Sequence, residues 1–256
     1  KDTDVIAHIT TKKYINRILG ILRPIISKRS SRMFGSAIEE KIENNGIGPF
    51  LEIGKEGRQT SLVYPTKVFI DNLKLNVSGV EIHLHHAPGE TNDQIFVWLP
   101  KFKALFPGDN FYRAFPNLYT IRGTPYRDLV GWVKSIDKMR YLEPEFLIPS
   151  HSRPLEGSQL ILKHLTDYRD AIQFVHDQTV RLMNKGMTPR EIASEIVLPE
   201  HLVSSPFLKE FYGTPQWSSK NVFSGYLGWF DGNPSTLKPL PYEEEAKKII
   251  VMAGGW

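Results

Sequence analysis

The stretch HLHHAPGETNDQ, residues 83–94, packs three histidines, a Pro-Gly turn and two carboxylates into twelve positions. Such a set could hold a metal ion, because imidazole and carboxylate are the usual non-thiolate ligands of zinc. His83 and His85 would share one face of a strand, since side chains alternate there. Two histidines do not complete a site, and the favoured reading makes them ordinary strand residues. A more specific pattern is distributed. Glu90 in APGET, Asp109 in FPGDN and His151 in IPSHS each stand in a loop directly after an extended run. Strand ends let a rigid scaffold hold a ligand while leaving a coordination position open.

Other chemistries find less support. No serine sits in a G-x-S-x-G elbow, and NGIGPF lacks the glycine spacing and Lys-Ser/Thr ending of a phosphate loop. The absence of cysteine rules out disulfides, thiolate ligands and a thiol nucleophile. Asn76-Val77-Ser78 forms a glycosylation triplet of a kind common by chance. Between Val5 and Ile38 there is no acidic residue, against the basic Lys12, Lys13, Arg17, Arg23, Lys28, Arg29 and Arg32. That segment suits an anionic ligand or surface, or is a solvated face beside an acidic neighbour. No nucleic-acid-binding motif or interleaved aromatics accompany it, so nucleic acid is not an expected partner. No apolar run approaches the length of a membrane span.

The 256 residues, 41% of them hydrophobic, suffice for one large domain or two medium ones. DVIAHIT reads as a strand and Thr11 to about Arg23 as a helix stopped near Pro24, followed by a looser helical stretch through MFGSAIEEKIEN. SLVYPTKVFI, LKLNV, VEIHLHH, QIFVWLP and FKALF have strand character, with a hairpin at Ser78-Gly79. Residues 126–141 return to helical spacing, and EFLIPSHS is a strand entering a loop. Beyond Gly157 the pattern is helical. Ser158–Asn184 is one long amphipathic helix, and Thr188, Pro189 and Glu191 form a capping box that opens another. SPFLKEFYG, NVFSGYLGWF and YEEEAKKIIVMAGG are further helical candidates. The expected organisation is an α/β (α+β) layered part over 1–156 and an all-α part over 157–256.

The order PGET, FPGDN, IPSHSRP resembles the second half of a metallo-β-lactamase fold, with Glu90 where most members carry histidine. That replacement is similar to the alkyl sulfatases. NLYTIRG (117–123) resembles a segment of the same family, as do YRDAIQFVHDQTVRLMNKGMTPREIA and GYLGWFDGNPSTLKPLP of its dimerisation domain. The resemblance implies a partial αββα metallo-β-lactamase-like sandwich followed by an all-α dimerisation domain. It implies a binuclear site of two zinc ions that hydrolyses alkyl sulfate esters through a metal-activated hydroxide, in a homodimer. Carried over by position, Glu90 would be the shared carboxylate, Asp109 a second carboxylate ligand and His151 a ligand of the other zinc. Arg122 would meet the sulfate and Tyr119 help shape its pocket.

The family's His-x-His-x-Asp-His motif is absent and HLHHAP does not replace it. The expectation is therefore a fragment, with other ligands supplied from outside this chain and a dimerisation domain that is incomplete at its C-terminal end. Trp217 and Ser218 stand where some members have a histidine, so no general acid is identified. The compartment is open, a periplasmic or extracellular one being the expectation.

Overall fold

The computed structural model describes residues 3–40, 42–48 and 61–255. Its framework is a six-stranded sheet in sequence order, made of β3 (Asn72–Val77), β4 (Val80–His86), β5 (Ile95–Leu99), β6 (Ala104–Phe106), β7 (Phe146–Leu147) and β8 (Leu155–Glu156). All neighbours pair antiparallel except β6 and β7, which are parallel and joined through helix α3 (Leu129–Arg140). Parallel neighbours require such a crossover. Two short strands, β1 (Ile6–His8) and β2 (Lys67–Phe69), pair separately and in parallel.

The hairpin forms where the sequence places it. Val77 pairs with Val80, and Ser78 and Gly79 both have positive φ, 52° and 82°. This is the two-residue turn whose twist matches the flanking strands. The three histidines of HLHH all belong to β4. His85 stacks on Phe96 of β5 with ring centroids 4.8 Å apart, and His83 Nε2 meets Glu81 Oε1 at 2.6 Å. They are strand residues, as expected.

Helix α4 (Ser158–Met183) packs on α3. The expected apolar positions of both helices are buried, including Trp132, Ile136 and Met139 on α3 and Ile161, Leu165, Tyr168, Ile172 and Val175 on α4. One apolar cluster runs from Ala87 and Phe96 of the sheet region through these helices to Val222 and Phe223. Short helices α5 (Pro189–Glu195) and α6 (Glu200–Val203), then α7 (Pro215–Leu227) and α8 (Tyr242–Met252), complete the helical half. The capping box opening α5 is present, with the Glu191 N–H donating to Thr188 and Glu191 accepting from the Thr188 N–H.

The first helical run ends near Pro24 as expected: Leu22, with φ −103° and ψ 4°, leaves the helix two residues before the proline. The chain runs from α1 (Thr11–Ile15) through a π turn (Asn16–Ile21) into α2 (Arg23–Met33), and Pro24 lies in the first turn of α2. There its missing N–H costs nothing, while the wider turn upstream relieves the clash of its ring with the preceding backbone. Three later helical expectations are corrected. The MFGSAIEEKIEN stretch leaves the helix at Met33, and Gly35 takes φ 78°, a conformation that ends helices. Residues 205–213 form no helix, because their backbone docks on the loop after β6: the Phe115 N–H donates to Lys209 O at 2.8 Å. The strand expected over SLVYPTKVFI is confined to Lys67–Phe69. The helix expected over NVFSGYLGWF begins earlier, at Pro215, and ends at Leu227.

Candidate metal centre and anion cleft

Glu90 stands in the loop that follows β4. Its geometry is set by Asn110, which sits behind it. Asn110 Oδ1 accepts from the Glu90 N–H at 3.0 Å, and Asn110 Nδ2 donates to Ala87 O at 2.7 Å. Trp132 Nε1 donates to Asn110 O at 3.1 Å and Ser135 Oγ donates to Pro88 O at 2.7 Å, so helix α3 pins both loops. Gly89 is required between them. A Cβ there would fall 2.2 Å from Asn110 Oδ1 and 2.9 Å from Trp132 Cδ1. The sequence flags the Pro-Gly turn but not Asn110, the residue that uses it.

The same bridge brings Asp109 near Glu90, close enough for its carboxylate to raise the proton affinity of Glu90. His151 Nε2 lies 3.6 Å from Asp109 Oδ1. Its loop is fixed by Ser152, which holds φ 94° and accepts from the Arg113 N–H at 2.8 Å. Thus Asp109 neighbours both Glu90 and His151.

Glu90 Oε1 also meets Arg127 Nη2 at 3.1 Å, and Arg127 is almost wholly buried, with its Nη1 donating to Asn117 O. The Glu90 carboxyl is nevertheless pushed up to about 7. Burial is the largest cause, Arg127 opposes it, and the nearby Asp109 adds to it. Two adjacent carboxylates are favourable only when a proton or a cation lies between them. In donor chemistry the three side chains therefore suit a hard or borderline cation such as zinc. In number they do not complete a site: among the described residues no group of three or more His, Asp or Glu side chains is arranged to hold an ion.

Beside Glu90 opens a cleft with about 450 Å³ of free space, continuous with solvent. Its walls include Glu90, Asn92, Arg122 and Arg127 from the sheet side, with Tyr14 and Arg17 from the N-terminal helical segment. Burial and the neighbouring Arg127 depress the proton affinity of Arg122, which still leaves a guanidinium fully charged at neutral pH. Tyr119 is half-buried and is not among the residues lining this cleft. Tyr212 lies near enough to feel the carboxylates, its hydroxyl pushed up to about 12 by burial and then by Glu90. Tyr212 is carried there by the close approach of its neighbour Gly213, where a Cβ would fall 2.5 Å from Pro116 O. Sequence reading finds neither Arg127 nor Tyr212. The basic character of residues 5–38 is the only signal for Arg17.

Residues 188–256 match the family model for alkyl sulfatase dimerisation. The chain is 38% identical over 240 residues to a linear primary-alkylsulfatase of Pseudomonas sp. (strain ATCC 19151), covering 92% of this chain and 45% of that protein. Among solved structures it matches the stereoselective inverting sec-alkylsulfatase Pisa1 from Pseudomonas sp. with a TM-score of 0.90 at 28% identity, over 99% of this chain and 41% of the other. A metallo-beta-lactamase family protein from Thermus thermophilus shares the fold at 16% identity, with a TM-score of 0.51 over 88% of this chain and 67% of that one. The chain spans less than half the length of the alkyl sulfatases it matches.

Proposed function

Because this chain shares the fold of the alkyl sulfatases and carries their dimerisation segment, we propose that it forms part of a zinc-dependent hydrolase that cleaves alkyl sulfate esters to alcohol and sulfate. The observation that carries this reading is a carboxylate–carboxylate–histidine neighbourhood opening onto an arginine-lined cleft. Glu90, Asp109 and His151 would hold the metal, Glu90 as the shared carboxylate, together with further donors, since zinc takes about four ligands. When bound, the metal pair supplies Lewis acidity and a hydroxide nucleophile near neutral pH.

The chain's own residues do the rest. Asn110 and Gly89 hold the Glu90 loop against α3, so the carboxylate is aimed before any ligand arrives. Arg127 holds the Glu90 carboxylate at the cleft wall through their ion pair at 3.1 Å. Arg122 binds the sulfate oxygens through charge-assisted hydrogen bonds, which its planar fork suits better than a lysine would. The helical part, 157–256, is the dimer-forming half, and a homodimer is the assembly proposed.

Elemental analysis of the purified chain, followed by a hydrolysis panel of sulfate esters, phosphoesters, thioesters and lactones, tests this reading. Zinc bound in proportion to the protein and hydrolysis restricted to sulfate esters are expected. Metal uptake with lactone, thioester or phosphoester hydrolysis would assign a different hydrolase of the same fold. Failure to take up zinc would remove catalysis from this polypeptide and leave it a dimerising scaffold.

A further inference from the structure

Arg122 is not the only guanidinium in the cleft. Arg17 lines it as well, from the π turn that interrupts the N-terminal helices. The turn is closed by an i→i+5 bond, with the Leu22 N–H donating to Arg17 O at 3.0 Å. Single π turns of this kind re-aim side chains and recur at functional sites. The segment is tied to the cleft at two points. Arg29 donates to Ile121 O, next to Arg122, and Asn92 Nδ2 donates to Tyr14 Oη at 3.0 Å.

Arg17 Nη1 is buried and, among the described residues, has no hydrogen-bond partner. Among the described residues Arg122 has neither an ion pair nor a hydrogen bond of its own. Arg17 and Arg122 share one cleft whose nearby negative charge, Glu90, acts on Arg122 but is ion-paired with Arg127. Burying a donor without a partner costs free energy, and like charges at short range add to that cost. Both costs vanish if an oxyanion sits between the two. Tyr14 fits the same picture: its oxygen already accepts from Asn92, so its proton is free to be donated into the cleft.

We propose that Arg17 is a second sulfate-binding arginine, which with Arg122 grips the terminal oxygens of the substrate's sulfate group. This rests on the reading of the cleft as a sulfate-ester site. A sulfate ester offers three terminal oxygens, enough for both guanidinium groups and the Tyr14 hydroxyl. The acid-free basic segment at the N-terminus is thereby given a ligand rather than a solvated face.

The test is calorimetric titration of inorganic sulfate into the full chain, comparing wild type with Arg17→Ala, Arg17→Lys, Arg122→Ala and Lys28→Ala, at constant ionic strength. Thermal melts establish that each variant is folded. Arg17→Ala is expected to weaken sulfate binding about tenfold, as loss of one charge-assisted hydrogen bond does. Arg17→Lys should recover part of the loss, and Lys28→Ala, on the exposed side of the same segment, should bind as wild type does. Equal affinity for wild type and Arg17→Ala, with Arg122→Ala weakened, would overturn the role of Arg17 and leave the sulfate site intact. Equal losses in Arg17→Ala and Lys28→Ala would overturn it too, by reducing it to a general field. Wild type that binds no sulfate would overturn this proposal and the sulfate reading of the cleft together.

Discussion

Glu90 and Arg127 form an ion pair at 3.1 Å, with Arg127 almost fully enclosed and Glu90 largely so. The guanidinium is held from behind by Asn117 O, so it is the fixed member of the pair. Its position makes Glu90 the electrostatic hinge of the site, shared between a structural cation and the proposed metal.

Removing the cation should therefore be expensive. Arg127→Met in the metal-free chain is expected to cost about 3 kcal/mol, because it leaves a buried carboxyl without its partner. The double variant Arg127→Met with Glu90→Gln should recover more than half of that. Urea denaturation of both measures it; a loss under about 1 kcal/mol for the single variant would mean that water already screens the pair.

Asn110 should prove as important as the residues it positions. Asn110→Ala leaves the Glu90 N–H and Ala87 O unpaired, which amounts to roughly 2–4 kcal/mol. The same variant should weaken zinc uptake, since the Glu90 loop loses its anchor. Denaturation and metal titration on one preparation would show both effects; intact metal affinity would mean that Gly89 and Ser135 alone hold the loop.

For the proposed hydrolysis, Arg122→Ala should raise KM for an alkyl sulfate by about tenfold or more, on the strength of one lost charge-assisted contact. Arg122→Lys should recover only part of it, because a lysine lacks the fork geometry. Steady-state kinetics in an assembly that turns over substrate decide this, and an unchanged KM would move the sulfate elsewhere.

His164 provides a pH test remote from the metal. It is buried against Phe207, ring centroids 4.1 Å apart, and burial lowers its proton affinity below the ordinary 6.5. The unfolded chain then binds the extra proton first as pH falls, so stability contributed by neutral His164 is present above about 6.5 and lost below it. His164→Phe should flatten the decline in stability between about pH 7 and 5 relative to wild type. Parallel pH profiles of the two proteins would show that His164 contributes nothing to it.

Much of this is legible in the chain itself. The Ser78-Gly79 hairpin, the capping box at Thr188 and the buried faces of α3 and α4 follow from local turn chemistry and from apolar spacing, and the structure reproduces them. Glu90, Asp109 and His151 are also marked, because Pro-Gly turns and strand ends announce where a loop can carry a ligand. The metal role of these three stays a proposal.

Tertiary structure decides the rest. Which cation meets Glu90, why Gly89 must lack a Cβ, and how Tyr212 and Arg17 reach a site so distant along the chain depend on contacts between segments with no common period. The helix break expected near Pro24 forms at Leu22, but the proline then opens α2, since a proline forbids a helix interior and welcomes a first turn, and only the surrounding backbone decides that a second helix follows at once. Local sequence determines turns, caps and faces because those energies act within a few residues. Pairings across the fold arise from packing, and packing is settled only when the whole chain is in place.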